Sequence, residues 1–212
     1  MSLPFHIPKQ ATLLVATHNE GKLREINEML QGDGLRAIGG AQAGLPEPEE
    51  TGETFEANAV LKAQAGADHQ RDYIVLADDS GMEVDVLDGA PGIYSARWGG
   101  SEKDFNLAMR RVHDEIALQN IEPNGQTARF VCVLALAKYG QEPLTFRGTV
   151  EGSLRFPAAG QKGFGYDPIF VPNGHDVTFA QMEAKAKRDI SHRAHAFRQF
   201  HDYILSQRLG KQ

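Results

Sequence analysis

Two adjacent carboxylates, Asp78 and Asp79, stand where an apolar run, Ile74-Val75-Leu76-Ala77, gives way to Ser80 and Gly81. Acids placed side by side at the end of a buried strand repel each other, and a cation beside them relieves that cost. Hard oxygen donors of this kind suit Mg²⁺, an ion that commonly arrives with a phosphate-bearing substrate. Glu49 and Glu50, in a loop earlier in the chain, could join them around one cation. The alternatives are an Asp-capped turn for the pair and a solvated acidic loop for the glutamates.

Three further groups have types and spacings suited to an anionic, ring-bearing ligand. Thr17-His18-Asn19-Glu20-Gly21-Lys22 lies between a strand pattern and a helix pattern, where helix N-terminal amides and a lysine favour an anion. An ordinary capped turn explains it equally, and the GxxxxGK[ST] phosphate loop is absent. Gly163-Phe164-Gly165-Tyr166-Asp167-Pro168 combines glycines, which allow close backbone approach, with Phe164 or Tyr166 as a ring to stack on a base. Lys185 to Arg193 places Lys187, His192 and Arg193 at what reads as a helix start, against the dipole preference, which hints at an anionic or polar ligand. The other histidines show no metal spacing.

These groups need elements to hold them. Thr12–Ala16 reads as a first buried strand, followed by a helix from Lys22 with Leu23, Ile26 and Leu30 on one face. Leu35–Ile38 reads as a second strand. A Pro-, Gly- and Glu-rich loop, residues 44–52, precedes a helix from about Thr54 that carries Phe55, Ala59, Ala63 and Gly66 at helical spacing. After the acidic pair, Met82 to Leu87 alternates like a half-exposed strand. Ser101-Glu102-Lys103-Asp104 predicts a helix start ahead of the stripe Phe105, Ala108, Met109, Val112, Ile116. Phe130–Ala137 and Thr145–Val150 read as a hairpin's strands. Thr178-Phe179-Ala180-Gln181 predicts another capped helix, and a final helix runs from Ser191. Interleaved strands and helices, with hairpin strands in the middle, favour an α/β domain with a mixed sheet.

The 212 residues suffice for one domain, taken as 1–212. A net charge of -6 argues against a chain built to coat nucleic acid, although 22 Lys and Arg can still line a local pocket. The single cysteine, Cys132, lies in an apolar run and reads as a buried hydrophobe; it excludes an intramolecular disulfide framework. No apolar segment approaches the ~20 residues that cross a bilayer. The opening MSLPFHIPKQ lacks a secretory core, so a cytoplasmic protein is expected.

Five stretches, LVATHNEGKLREI, EETGETFEANAVLKA, LADDSGMEVDVLDGAPGIYSARW, GFGYDPIF and DISHRAHAF, resemble in order and separation the inosine/xanthosine triphosphate pyrophosphatase family. The resemblance covers nearly the whole chain. It implies an elongated, two-lobed α/β fold with a long mixed sheet, flanking helices and a central cleft. It also implies a homodimer that uses Mg²⁺ to cleave ITP, dITP and XTP to the monophosphate and pyrophosphate. Carried over by position, Thr17, His18, Asn19, Glu20, Gly21 and Lys22 would hold the triphosphate. Asp79 would be the catalytic acid and a metal ligand, and Ser80 would contact substrate. Phe164, Gly165, Tyr166 and Asp167 would form the base pocket, with Lys187, His192 and Arg193 beside it. Glu50 is favoured as second metal carboxylate, with Glu49, Glu53, Glu56 and Asp78 as rivals. Ala57, where members often carry an acid, and Arg188-Asp189 depart from the pattern. Two other readings differ in class: a pyrophosphatase of Maf-like fold acting on modified pyrimidine nucleotides, and a non-catalytic nucleotide binder on the same scaffold.

Overall fold

The first three strands, which alternate with helices, pair in parallel, whereas the last two, with no long helix between them, pair antiparallel. The protein, seen as a computed structural model, is described over residues 6–46 and 48–209; Glu47 and the first five residues of the opening segment lie outside the described residues. The elements run β1 (Thr12–Val15), α1 (Glu20–Leu30), β2 (Arg36–Gly39), α2 (Phe55–His69), β3 (Ile74–Val84) and α3 (Phe105–Ala117). The chain continues through β4 (Thr127–Lys138), β5 (Leu144–Leu154), β6 (Phe170–Pro172), α4 (Ala184–Ile190) and α5 (His192–Leu209). The strands form a mixed sheet in the order β2-β1-β3-β4-β5-β6. β1 pairs parallel with β2, Leu13 opposite Ala37, and with β3, Leu14 opposite Val75; β5 and β6 are antiparallel. The α/β class with a mixed sheet is as the sequence predicts.

Two compact units divide the chain. One comprises Met1–Asp79, Val133–Arg147 and Ala196–Gln212; the other comprises Ser80–Cys132 and Gly148–His195. In the first, Leu13, Leu14, Val15, Ile26, Ala59, Ala63 and Leu76 are wholly buried. In the second, the stripe of α3 (Ala108, Met109, Val112, Ile116) joins Met82, Val84, Phe130, Tyr166, Phe170 and Phe179 in one cluster. Each large apolar side chain so buried contributes about 1.5–3 kcal/mol. Cys132 is buried, as expected.

Several local expectations are corrected. The acidic pair does not end a strand: β3 runs unbroken through Asp78, Asp79, Ser80 and Gly81 to Val84, and only Asp85–Leu87 turns into a short 3-10 helix. Successive strand side chains point to opposite faces, and Asp78 pairs with Lys22 while Asp79 pairs with Lys62. α1 begins at Glu20, because Asn19 is its N-cap and accepts from the Lys22 amide. α3 is capped by Asp104, not Ser101. Thr178–Gln181 does not open a helix. The Gln181 side chain does reach back to the Thr178 amide, half of a capping box, but Phe179 and Ala180 are buried and the Phe179 amide bonds the Phe170 carbonyl. Lys187 and Arg188 occupy the last turn of α4, where the dipole favours cations, so the electrostatic mismatch inferred for Lys187 does not exist.

Candidate functional site

In the first unit, β1, α1, α2 and β3 bring a set of charges together. Lys22, in the first turn of α1, lies 3.0 Å from Asp78 Oδ2, whose side chain is 2% exposed. Lys62, on α2, donates to Asp79 Oδ1 at 2.8 Å and to Glu50 Oε1 at 2.8 Å. Asp79 Oδ2 is buried and has no hydrogen-bond partner. Burial pushes the Asp79 carboxyl above the ordinary range; Lys62 opposes this and the Glu50 charge adds to it. Burial by itself would lower Lys62, but the charges of Asp79 and Asp78 and the bonds to both acids outweigh it and carry Lys62 up to about 12. The lysine is therefore a fixed ammonium, and Asp79 is the group disposed to take a proton.

The loop that carries Glu50 is braced from α2. Thr54 caps that helix by accepting from the Ala57 amide. Asn58, fully buried, accepts from the Gly52 amide at 2.8 Å. A Cβ on Gly52 would lie 2.6 Å from the Asn58 side chain, so no other residue fits there without a shift. Of the rivals to Glu50, Glu49 and Glu53 are exposed, Glu56 pairs with Arg147 at 2.7 Å, and Asp78 pairs with Lys22. Glu50 is thus the acid that shares a cation with Asp79. Between β1 and α1, the Thr17 hydroxyl accepts from the Asn19 amide and His18 meets the Leu45 carbonyl at 3.0 Å. Glu20 and Gly21 are exposed at the helix start.

In the second unit, residues 163–167 wrap around Asp167, which is 2% exposed. Its Oδ2 accepts from the Phe164 amide at 2.8 Å and pairs with Lys187. Gly163 has φ +74°, and a Cβ there would stand 2.0 Å from that same oxygen, so this position demands glycine. The Lys187 ammonium lies 5.0 Å from the Phe164 ring centroid. Phe164 is exposed, whereas Tyr166 is buried edge-on against Phe105 and donates to the Ser95 carbonyl at 2.8 Å. Of the two rings offered for base stacking, only that of Phe164 is open to a ligand. Gly165 adds a second positive φ. His192 stacks on Phe130 with centroids 5.0 Å apart, and Arg193 Nη2 stands 3.5 Å from Ser80 Oγ. Both are buried at the start of α5, where Ser191 accepts from the Ala194 amide.

The sequence reading missed Lys62 and Asn58. Both lie inside the stretch EETGETFEANAVLKA, but a lone lysine on a helix reads as solvated and an asparagine as a surface residue. The signal that could have found Lys62 is its neighbourhood: an acid-rich loop on one side and an acidic strand on the other require a cation. Among the described residues, no three His, Cys, Asp or Glu side chains gather closely enough to hold a metal ion on their own. Two carboxylates with one unpartnered buried oxygen fit Mg²⁺, which is usually held by one or two carboxylates, water and substrate phosphates. Among the same residues, no helix is long and apolar enough to cross a membrane.

Comparison with known proteins adds the following. The sequence model of the Ham1 family matches residues 13–203. A dITP/XTP pyrophosphatase of Rhodospirillum centenum is 52% identical over 188 residues, 89% of this chain and 92% of that protein. One from Zymomonas mobilis is 49% identical, covering 88% of each. A solved HAM1 protein from Coxiella burnetii superposes with a TM-score of 0.85 at 33% identity, over 92% of this chain and 99% of the other.

Proposed function

The chain belongs to the Ham1 family, and from that premise we propose that it hydrolyses non-canonical purine nucleoside triphosphates (dITP, ITP, XTP) to the monophosphate and pyrophosphate. It is a hydrolase acting on acid anhydrides, and its work is to clear these nucleotides from the pool. The observation that carries this reading is the shared lysine: Glu50 and Asp79 on one ammonium, with a second Asp79 oxygen buried and unpartnered. A structural ion pair satisfies its oxygens; this one keeps an oxygen in reserve.

In the proposed mechanism a water attacks the α-phosphorus, the bond from that phosphorus to the bridging oxygen breaks, and pyrophosphate leaves. Asp79 takes the water's proton, a role suited to a carboxyl raised by burial. Glu50 and Asp79 are the residues to hold Mg²⁺, which when bound supplies positive charge against the phosphate oxygens. Lys22, Lys62 and the amides around Thr17 to Lys22 offset charge as it gathers on the tail. Phe164 offers its ring to the base, and Lys187, Asp167, His192, Arg193 and Ser80 supply polar contacts. Donors aimed at a 6-oxo group reject adenine, since facing donors left unpaired cost ~1–3 kcal/mol. Guanine differs from hypoxanthine only by its 2-amino group, so the pocket must also disfavour that group. The enzyme works as a cytoplasmic homodimer in this reading.

A nucleotide panel with pyrophosphate detection, with and without Mg²⁺, tests the proposal. The expectation is Mg²⁺-dependent release, with kcat/KM for dITP and XTP well above that for dGTP and dATP. Equal values for dITP and dGTP, or turnover confined to modified pyrimidine nucleotides, overturn it. Sedimentation of the purified chain tests the dimer.

A further inference from the structure

Lys22 pairs with Asp78 at 3.0 Å, while Lys62 stands between Glu50 and Asp79, one base on two acids. Lys62 Nζ lies 2.8 Å from an oxygen of each acid, the position of a cation that bridges two carboxylates. Its side chain is 12% exposed, so water screens it little. An ammonium and a divalent ion held by the same two carboxylates repel each other strongly.

We propose that Lys62 is an internal rival of the divalent cation: its ammonium holds the metal's two carboxylates and yields them when a polyphosphate offers it new anionic oxygens. This rests on the reading above in which Glu50 and Asp79 hold Mg²⁺. Phosphate oxygens are strong partners for an ammonium, so the tail that brings the metal also draws Lys62 off the acids. The free protein then binds a divalent ion weakly, and nucleotide and ion favour each other's binding by the same factor. The acids are never left bare: Lys62 closes them before the substrate arrives and after the product leaves. A static salt bridge predicts none of this coupling, because its lysine serves only to hold α2 against β3.

The test is Mn²⁺ binding followed by electron paramagnetic resonance, which reads the ion and not turnover. Wild type, Lys62→Met and Lys62→Gln are titrated alone and with a dITP analogue carrying a methylene between the α- and β-phosphorus. Wild type alone should bind Mn²⁺ weakly and tighten with the analogue. Both neutral variants should bind Mn²⁺ about tenfold or more tightly than wild type without the analogue, the consequence of removing a like charge at contact distance. Neutral variants that bind Mn²⁺ no better than wild type, while wild type with analogue binds it well, overturn the rivalry and leave the metal reading standing. No Mn²⁺ bound by any protein, with or without analogue, overturns both. Should the neutral variants not fold, Lys62→Arg decides: its two-pronged grip on carboxylates should weaken Mn²⁺ binding, and equal or tighter binding counts against the proposal.

Discussion

Asp79 and Asp167 are both buried aspartates that hold a lysine, and the two arrangements are built to different ends. In the first unit, Asp79 shares Lys62 with Glu50 and keeps one oxygen without a partner. In the second, Asp167 places the same oxygen on both Lys187 and the Phe164 amide. Lys187 is further enclosed by the rings of Phe164 and Phe179. The first arrangement concentrates charge and leaves it incompletely answered; the second answers its carboxylate and uses it to shape a loop. An incompletely answered acid is poised for chemistry, while a satisfied one fixes geometry.

Substitutions should separate the two in that order. Asp79→Asn removes the proposed base and should lower kcat about 10²–10⁴-fold while leaving the preference among nucleotides unchanged; steady-state kinetics with dITP checks both. Asp167→Asn leaves Lys187 without its buried partner and should cost about 3 kcal/mol by chemical denaturation, with a larger loss in KM than in kcat. Gly163→Ala forces a methyl toward Asp167 Oδ2 at a positive φ and should cost about 1–3 kcal/mol, giving a weaker form of the same kinetic defect.

Alkali sharpens the contrast. The folded-state pKa of Lys62 lies above its ordinary value of 10.5. Its contribution is therefore complete below pH 10.5 and is lost as the pH rises toward 12, on the order of 2 kcal/mol in all. Lys62→Met should lack that part of the alkaline decline in the denaturation midpoint. Tyr166 is also raised, by burial, so it too contributes below its ordinary pKa of 10.0 and loses that contribution in stronger alkali. Tyr166→Phe should flatten its share of the decline and cost only about 0.5–1.5 kcal/mol at neutral pH, the worth of the bond to Ser95.

The two regions also differ in how far the amino-acid order reveals them. β1, β2, α2 and the stripe of α3 are legible because apolar spacing alone dictates them, and the parallel edge follows from the helices between strands. The path of β3 is not, since aspartate is unfavourable in strands and the pair is answered by Lys22 and Lys62, brought from two helices. Lys62 stayed hidden for the same reason: its importance lies in what it touches. Thr178 to Gln181 misleads in the opposite way. The local capping pattern forms its hydrogen bond, but burial of Phe179 keeps the chain in turns and extended pairing. Asp167 and Gly163 were visible as a glycine-rich loop, yet the close contact that requires Gly163 appears only in three dimensions.

The central claim is a division of labour, with chemistry at Asp79 and nucleotide choice set by the loop that Asp167 holds. A matrix of kcat/KM values tests it most directly: wild type, Asp79→Asn and Asp167→Asn, each with dITP, dGTP and dATP. The account predicts that Asp79→Asn lowers all three by a common factor, and that Asp167→Asn narrows the ratio of dITP to dGTP. A changed ratio in Asp79→Asn together with an unchanged one in Asp167→Asn would contradict it.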